Sequence, residues 1–398
     1  MIQEGKTRPA AGGSALLDML ALSLGAAVAL GFARFAYALL LPVMRADLGW
    51  SFTLSGAMNA ANALGYLLGA LAATPLSGRW GLKRVFTGGL LLSALSLLAC
   101  AATAASAPLL LLRLLAGLGG ALVFVSGGGL AALAARAHPQ RSALLLGVFY
   151  GGSGIGIVLS ALLLPPLLVG GWRGAWAALG LASLACLLLT LRPLTRFPER
   201  GASPLDGAAP APLRPLAWTL AAYACFGIGY IAYMTFIVAF LRASGAGALV
   251  TPFWALLGAA VVVNPLVWRA LATHARGARA MAVQMLTLAT GAALPLLSTH
   301  PAALFTSGLL FGVSFLAVVT FTTIITRRVL PEHAWARGIA AFTVVFAAGQ
   351  VTGPLLTGAL ADSAGGLRLG LGVSAAVLLL GAGLAWRHPA EGAPLPAR

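Results

Sequence analysis

Acidic residues are scarce in this chain: eight Asp and Glu stand against 25 Lys and Arg in 398 residues. Glu4, Asp18, Asp47, Glu199, Asp206, Glu332, Asp362 and Glu391 each fall in a tail, in a connector or at the end of an apolar run. A buried cation site needs a negative group to replace lost water, and none is left inside a run. Histidine is missing from the runs as well, since His138, His274, His300, His333 and His388 lie in or beside connectors. A proton relay through Asp, Glu or His within a span therefore has no candidate. The three cysteines, Cys100, Cys186 and Cys225, stand singly in apolar runs without CxxC or Cys/His spacing. Neither a disulfide framework nor a metal site is expected, and the three read as small packing residues. No Ser/His/Asp set or nucleotide loop occurs, so neither enzyme activity nor a cofactor is expected. Charge is sparse altogether, 8% of residues where a soluble chain carries about 25%.

What the chain has is apolar length. It is 60% hydrophobic, with 50 glycines placed largely inside leucine- and alanine-rich runs, which reads as close helix packing in lipid. A span needs about 20 mostly apolar residues. Twelve such stretches are expected, near 16–44, 52–73, 85–105, 108–134, 142–168, 172–191, 216–241, 247–270, 279–298, 301–327, 334–360 and 366–387. The N-terminal residues are polar and no small-residue cleavage site follows them, so an uncleaved tail is expected. Nineteen Lys and Arg lie in the tails and in the connectors after even-numbered spans, and four in the connectors after odd-numbered ones. The positive-inside rule then places both termini in the cytoplasm. Basic charge confined to connectors, with no aromatic-interleaved basic face, excludes nucleic acid as a partner.

The two halves repeat. An offset of 196 lays GFARFAYALLLPVMRADLG (31–49) on GIGYIAYMTFIVAFLRASG (227–245), matching Gly31 with Gly227, Tyr37 with Tyr233 and Gly49 with Gly245. Arg141 falls on Arg337 at the same offset, and Arg173 on Arg368 at 195. The expected fold is an all-α polytopic membrane protein of twelve helices in two pseudo-symmetric six-helix bundles, with a site near midplane between them. Residues 1–191 form the first bundle, 192–215 a cytoplasmic linker, and 216–398 the second bundle.

Several stretches resemble the major facilitator superfamily. They are RLLAGLGGA (113–121), GVFYGGSGIGIVLS (147–160), GGWRGAWAALG from Gly170, and the basic SGRWGLKRV (77–85). Within it, GFARFAYALLLP with NALGYLLGAL (62–71) looks most like the YbfB-like branch, a bacterial group. The resemblance implies a secondary transporter of the bacterial inner membrane, working by alternating access and expected as a monomer. One departure stands out. Gly78 occupies the place where the superfamily usually has an aspartate that latches the bundles on the cytoplasmic side, so that latch is assigned to no residue here.

Candidate substrate contacts are the polar groups within spans. Arg34 lies eleven residues before Arg45, about 16 Å inward, close to midplane. Tyr37 is read as sharing its face, and the pair is mirrored by Tyr230 and Tyr233. Arg34 has three readings: substrate contact, bracing of a helix break, or snorkelling. Arg113 is open between structure and gating. Asn59, Asn62 and Tyr66 make one polar stripe at i, i+3, i+7; Gln350 is a further candidate and Asn264 a weaker one. Interhelical bonding competes with site duty for the amides. Gly65/Gly69, Gly147/Gly151, Gly152/Gly156 and Gly349/Gly353 have the spacing of packing faces. A cavity with two arginines, tyrosines and no carboxylate is electropositive, and a guanidinium suits a carboxylate or phosphate. The expected cargo is therefore a small organic anion; the alternatives are an efflux carrier for neutral or lipophilic compounds and, remotely, a non-transporting membrane sensor or scaffold. The coupling ion and the direction stay open.

Overall fold

The computed structural model describes residues 12–197, 212–274 and 277–388. Most of the expected central linker lies outside the described residues. The described chain is helical throughout. Its first span is composite: α1 (Gly12–Ala26), a π-helical stretch (Ala27–Phe35) and α2 (Tyr37–Leu48). There follow α3 (Phe52–Trp80), α4 (Leu82–Ala102), α5 (Ser106–Ala137), α6 (Ser142–Leu168) and α7 (Trp172–Leu194). The second bundle comprises α8 (Ala217–Ala243), α9 (Val250–His274), α10 (Arg279–Leu297), α11 (Pro301–Val329), α12 (Trp335–Ala361) and α13 (Gly366–Trp386).

Among the described residues, eleven of these spans are long and apolar enough to cross a bilayer. The exception is α3, which has the length but carries Ser55, Asn59, Asn62 and Ser77. All four are buried, so the polarity that dilutes its apolar character faces protein, not lipid. Exposed leucines such as Leu162, Leu188, Leu189 and Leu266 form the outer surface, as lipid contact requires.

The repeat is visible in atomic detail. Gly49 and Gly245 both take positive φ, 64° and 79°, at the ends of α2 and α8. Gly171 and Gly366 do so again, 102° and 58°, just before α7 and at the first residue of α13. The arginines that follow make the same bond in each half. Arg173 donates to Ala101 O at 2.8 Å and Arg368 to Leu296 O at 2.6 Å, each satisfying a carbonyl in the last turn of a neighbouring helix.

Three of the four glycine pairs are packing faces. Gly65 and Gly69 lie against the Leu114 and Leu118 carbonyls of α5, Gly152 and Gly156 against Ser23 and Ala27 of the first span, and Gly349 and Gly353 against Ala224 and Ile228 of α8. The fourth differs: nothing approaches Gly147 within 4 Å of an added Cβ, and Gly151 meets Val262 at 3.8 Å. Gly154, on the same face, is tight against Gly258 of α9. The helices α6 and α9 touch at mid-depth and part toward the α6 N-terminus.

That divergence shows which end is open. Twelve antiparallel spans put both ends of the chain on one face, the terminal face, and α6 begins there. At the opposite, distal face the bundles are closed. Gly56 of α3 meets the Pro354 carbonyl of α12, and Gly358 of α12 meets the Phe52 carbonyl. Asp362, following α12, bonds across the bundles to the first residues of α3, with Phe52 N to Oδ1 at 2.7 Å and Thr53 N to Oδ2 at 2.9 Å.

Candidate substrate site between the bundles

The first span breaks helical register where the site begins. Ala36 N reaches back five residues to Gly31 O at 2.8 Å, and Leu39 N reaches back three to Ala36 O at 3.0 Å. Gly31 permits this geometry by letting the backbone lie against Gly156. With more residues in each turn, a π stretch leaves residues i and i+3 farther apart around the axis than an α-helix does. Arg34 and Tyr37 therefore do not share a face, contrary to the i, i+3 expectation, and the nine candidate residues separate into two layers.

The deeper layer is braced. Ala33 O, inside the break, accepts from Arg113 Nη1 at 2.7 Å and from Asn62 Nδ2 at 3.2 Å. Asn62 Nδ2 also lies 3.0 Å from Arg113 O, so the amide bridges three helical segments. The Arg113 guanidinium is held against Tyr37 and Trp176, 4.9 and 5.4 Å from their ring centroids. Tyr37 stacks on Trp176 and donates to Ser55 O at 2.9 Å. Asn59 Nδ2 donates to Thr235 Oγ1 of α8 at 2.5 Å. Tyr233 pairs with Ser307 at 2.6 Å, and Ser307 donates to Gly291 O at 2.5 Å. These side chains tie helices together by the interhelical bonding that competes with site duty. Arg113 is 1% exposed, although its Nε and Nη2 are unpartnered.

The second layer is different. Arg34 is 3% exposed, and its Nε and Nη2 have no hydrogen-bond partner among the described residues. Its neighbours are ring faces: Tyr66 at 5.1 Å and Phe35 at 5.9 Å. Gln350 donates its Nε2 to the Tyr230 hydroxyl. Tyr66 is half-buried and Tyr150 of α6 exposed, whereas Arg34, Tyr230 and Gln350 are buried. Asn264 is buried in α9 with its Nδ2 unpartnered and joins neither layer.

Four acidic residues are described, and none is near Arg34. Asp18 pairs with Arg196 at 2.6 Å, Asp47 accepts from Trp172 Nε1 at 2.7 Å, Asp362 bonds α3, and Glu332 opens a short turn before α12. No group of His, Cys, Asp and Glu suited to a metal occurs among the described residues.

Sequence reasoning missed the aromatic half of the site. Phe226 stacks on Tyr230 at 4.7 Å, Phe346 lies 5.6 Å and Phe315 6.0 Å from the same ring, and Phe35 meets Phe315 edge-on at 5.6 Å across the bundles. A signal existed. Residues 223, 226, 230 and 233 are aromatic at spacings of three, four and three, the recurrence of one helix face.

Two bundles closed at one face and open at the other around a polar centre define a multi-pass membrane transporter of the major facilitator type. Residues 26–386 match the family model described as uncharacterised MFS-type transporter YbfB, and the chain belongs to that family. No curated protein sequence matches it. Among solved structures, a bacterial homologue of the human lysosomal transporter Spinster, inward-facing and unoccupied, aligns at 14% identity and TM-score 0.70, covering 94% of this chain and 97% of that one. The nucleoside transporter NupG aligns at 12% and 0.68, covering 95% and 98%. A mutant of the peptide transporter POT in complex with sulfate aligns at 14% and 0.76, covering 96% and 95%. At such identities the likeness establishes the fold.

Proposed function

We propose that the chain is a secondary carrier for a small organic anion, with Arg34 as its charge anchor. One observation supports this above the others: the Arg34 guanidinium is buried with two unpartnered nitrogens, and each described acidic residue is engaged elsewhere. A buried charge left uncompensated is costly, and an anionic cargo supplies the missing partner in bidentate form. Tyr66, Tyr230 and Gln350 complete the contact surface. Arg113, Tyr37, Asn59, Asn62 and Tyr233 hold the break and the neighbouring helices in place. The basic connectors assign the terminal face to the cytoplasm, which makes the described state inward-open in the inner membrane, and the chain acts as a monomer.

A thermal-shift panel tests the reading, run on purified wild type and Arg34→Ala with carboxylates, phosphates, neutral aromatics and organic cations. Stabilisation of the wild type by one anion class, lost in a monodisperse Arg34→Ala protein, is expected. Aggregation of the variant would return Arg34 to a bracing role. A second reading draws on the aromatic lining opposite Arg34, which also suits a neutral lipophilic cargo. Stabilisation by such compounds, equal in both proteins, would favour it.

A further inference from the structure

The aromatic wall narrows the kind of anion. Tyr230 is nearly coplanar in orientation with three neighbours, at interplanar angles of 17° to Phe226, 8° to Phe346 and 9° to Phe315. Phe226 and Phe346 differ by 10°, and Tyr223 and Phe346 by 20°. Centroid separations of 4.7 to 6.0 Å between near-parallel rings fit offset stacking, so the rings form one wall of common orientation. Apolar packing alone does not demand common orientation: Phe149 meets Tyr150 at 72°, and the stacked pairs outside this array, Tyr37 with Trp176 and Tyr233 with Phe311, are isolated pairs and not runs of rings.

Two further details place the wall at the site. Tyr230 is fixed in its plane by Gln350, which holds its hydroxyl, and Phe315, stacked on Tyr230, meets Phe35, the residue next to Arg34. Phe346, which stacks on Tyr223, Phe226 and Tyr230, is half-buried whereas Phe226 and Phe315 are buried, so the array keeps some free ring surface. A flexible aliphatic chain gains the same burial from any apolar lining. A flat ring gains more from parallel rings, because offset stacking adds to burial. A carboxylate conjugated to such a ring lies in the ring plane, where a planar guanidinium receives it in fork geometry.

Resting on the anion reading above, we infer that the cargo is a planar aromatic carboxylate, its carboxylate paired with Arg34 and its ring extending the Tyr230–Phe346 array. Benzoate and cyclohexanecarboxylate separate the two ideas, having the same charge and carbon count but a flat and a puckered ring. Each is titrated against wild-type protein in lipid nanodiscs by calorimetry. Benzoate is expected to bind about three- to tenfold more tightly, and Phe346→Leu to shrink that ratio while leaving cyclohexanecarboxylate within about twofold. Equal affinities in the wild type would overturn the aromatic inference and leave the anion reading standing. Binding of neither carboxylate, with stabilisation by neutral or cationic compounds, would overturn both. Should Phe346→Leu fail to fold, the wild-type ratio alone decides.

Discussion

Asp362 offers the sharpest test of how the two bundles are held. Its carboxylate accepts Phe52 N at 2.7 Å, Thr53 N at 2.9 Å and Thr53 Oγ1 at 2.7 Å. It thus caps α3 from the other bundle, a favourable place for a negative charge. Arg45 lies over Phe52 at 3.7 Å beside it. Losing an N-cap costs about 1 kcal/mol and hydrogen bonds to a charge about 1.5–3 kcal/mol; exposure of this group to solvent favours the low end. Removing the carboxylate in Asp362→Ala should weaken distal closure by about 1–2 kcal/mol, a shift of about 5- to 30-fold in the closed-to-open ratio. Spin labels at Ala104 and Leu297, exposed at the distal ends of the two bundles, report it by electron–electron distance measurement. An unchanged distance distribution in a well-folded variant would refute the reasoning. The pH dependence has a definite sign. Burial pushes the carboxyl pKa up, but the Thr53 and Phe52 donors and the Arg45 charge outweigh it and hold the group below the usual range. A depressed pKa means the latch is fully present above about pH 4 and is lost as pH falls through the lowered value. Acidification below that point should open the wild-type distal face, with no response across neutral pH, and Asp362→Asn should be insensitive throughout.

Other outcomes follow from the same geometry. Arg34→Lys should keep part of the anion binding lost in Arg34→Ala, because the charge remains while the fork is gone; equal loss in both would point to packing. Arg113→Ala should lower stability by about 1.5–3 kcal/mol in a denaturation series, since it removes the donor to Ala33 O, and a neutral result would dismiss the brace. Gly154→Val should abolish transport in a protein that still inserts, because Gly258 leaves no room for the side chain; uptake assays in proteoliposomes check this. A reporter fused after Gly207 or at the C-terminus should read cytoplasmic, and one at Leu367 external.

Much of the architecture could be read from residue patterns, and for identifiable reasons. Span length, basic connectors and the 196-residue offset are linear properties, and Gly49/Gly245 and Arg173/Arg368 show the repeat surviving into backbone angles and hydrogen bonds. The site was legible only in part. Arg34 announces itself by being charged in an apolar run. The separation of Tyr37 from it depends on a π stretch that leaves no periodic trace, because apart from Arg34 its residues are apolar or glycine like those of the α-helical segments beside it. The assignment of Asn62 to bracing depends on a carbonyl 29 residues away, which spacing within one helix cannot reveal. The aromatic wall needed three helices brought together, although the part on α8 was visible as a stripe.

The contacts between the bundles at Gly154/Gly258 and Gly56/Pro354 are made by backbone against backbone. Knobs seated in holes must be lifted out before two helices can part, and each such step is a barrier. Smooth surfaces behave as bearings: they can roll or slide with little interlocking to undo. Resistance to parting at the distal face then falls on discrete polar clasps such as Asp362, a few bonds at the rim, more than on the extent of the surfaces beside them.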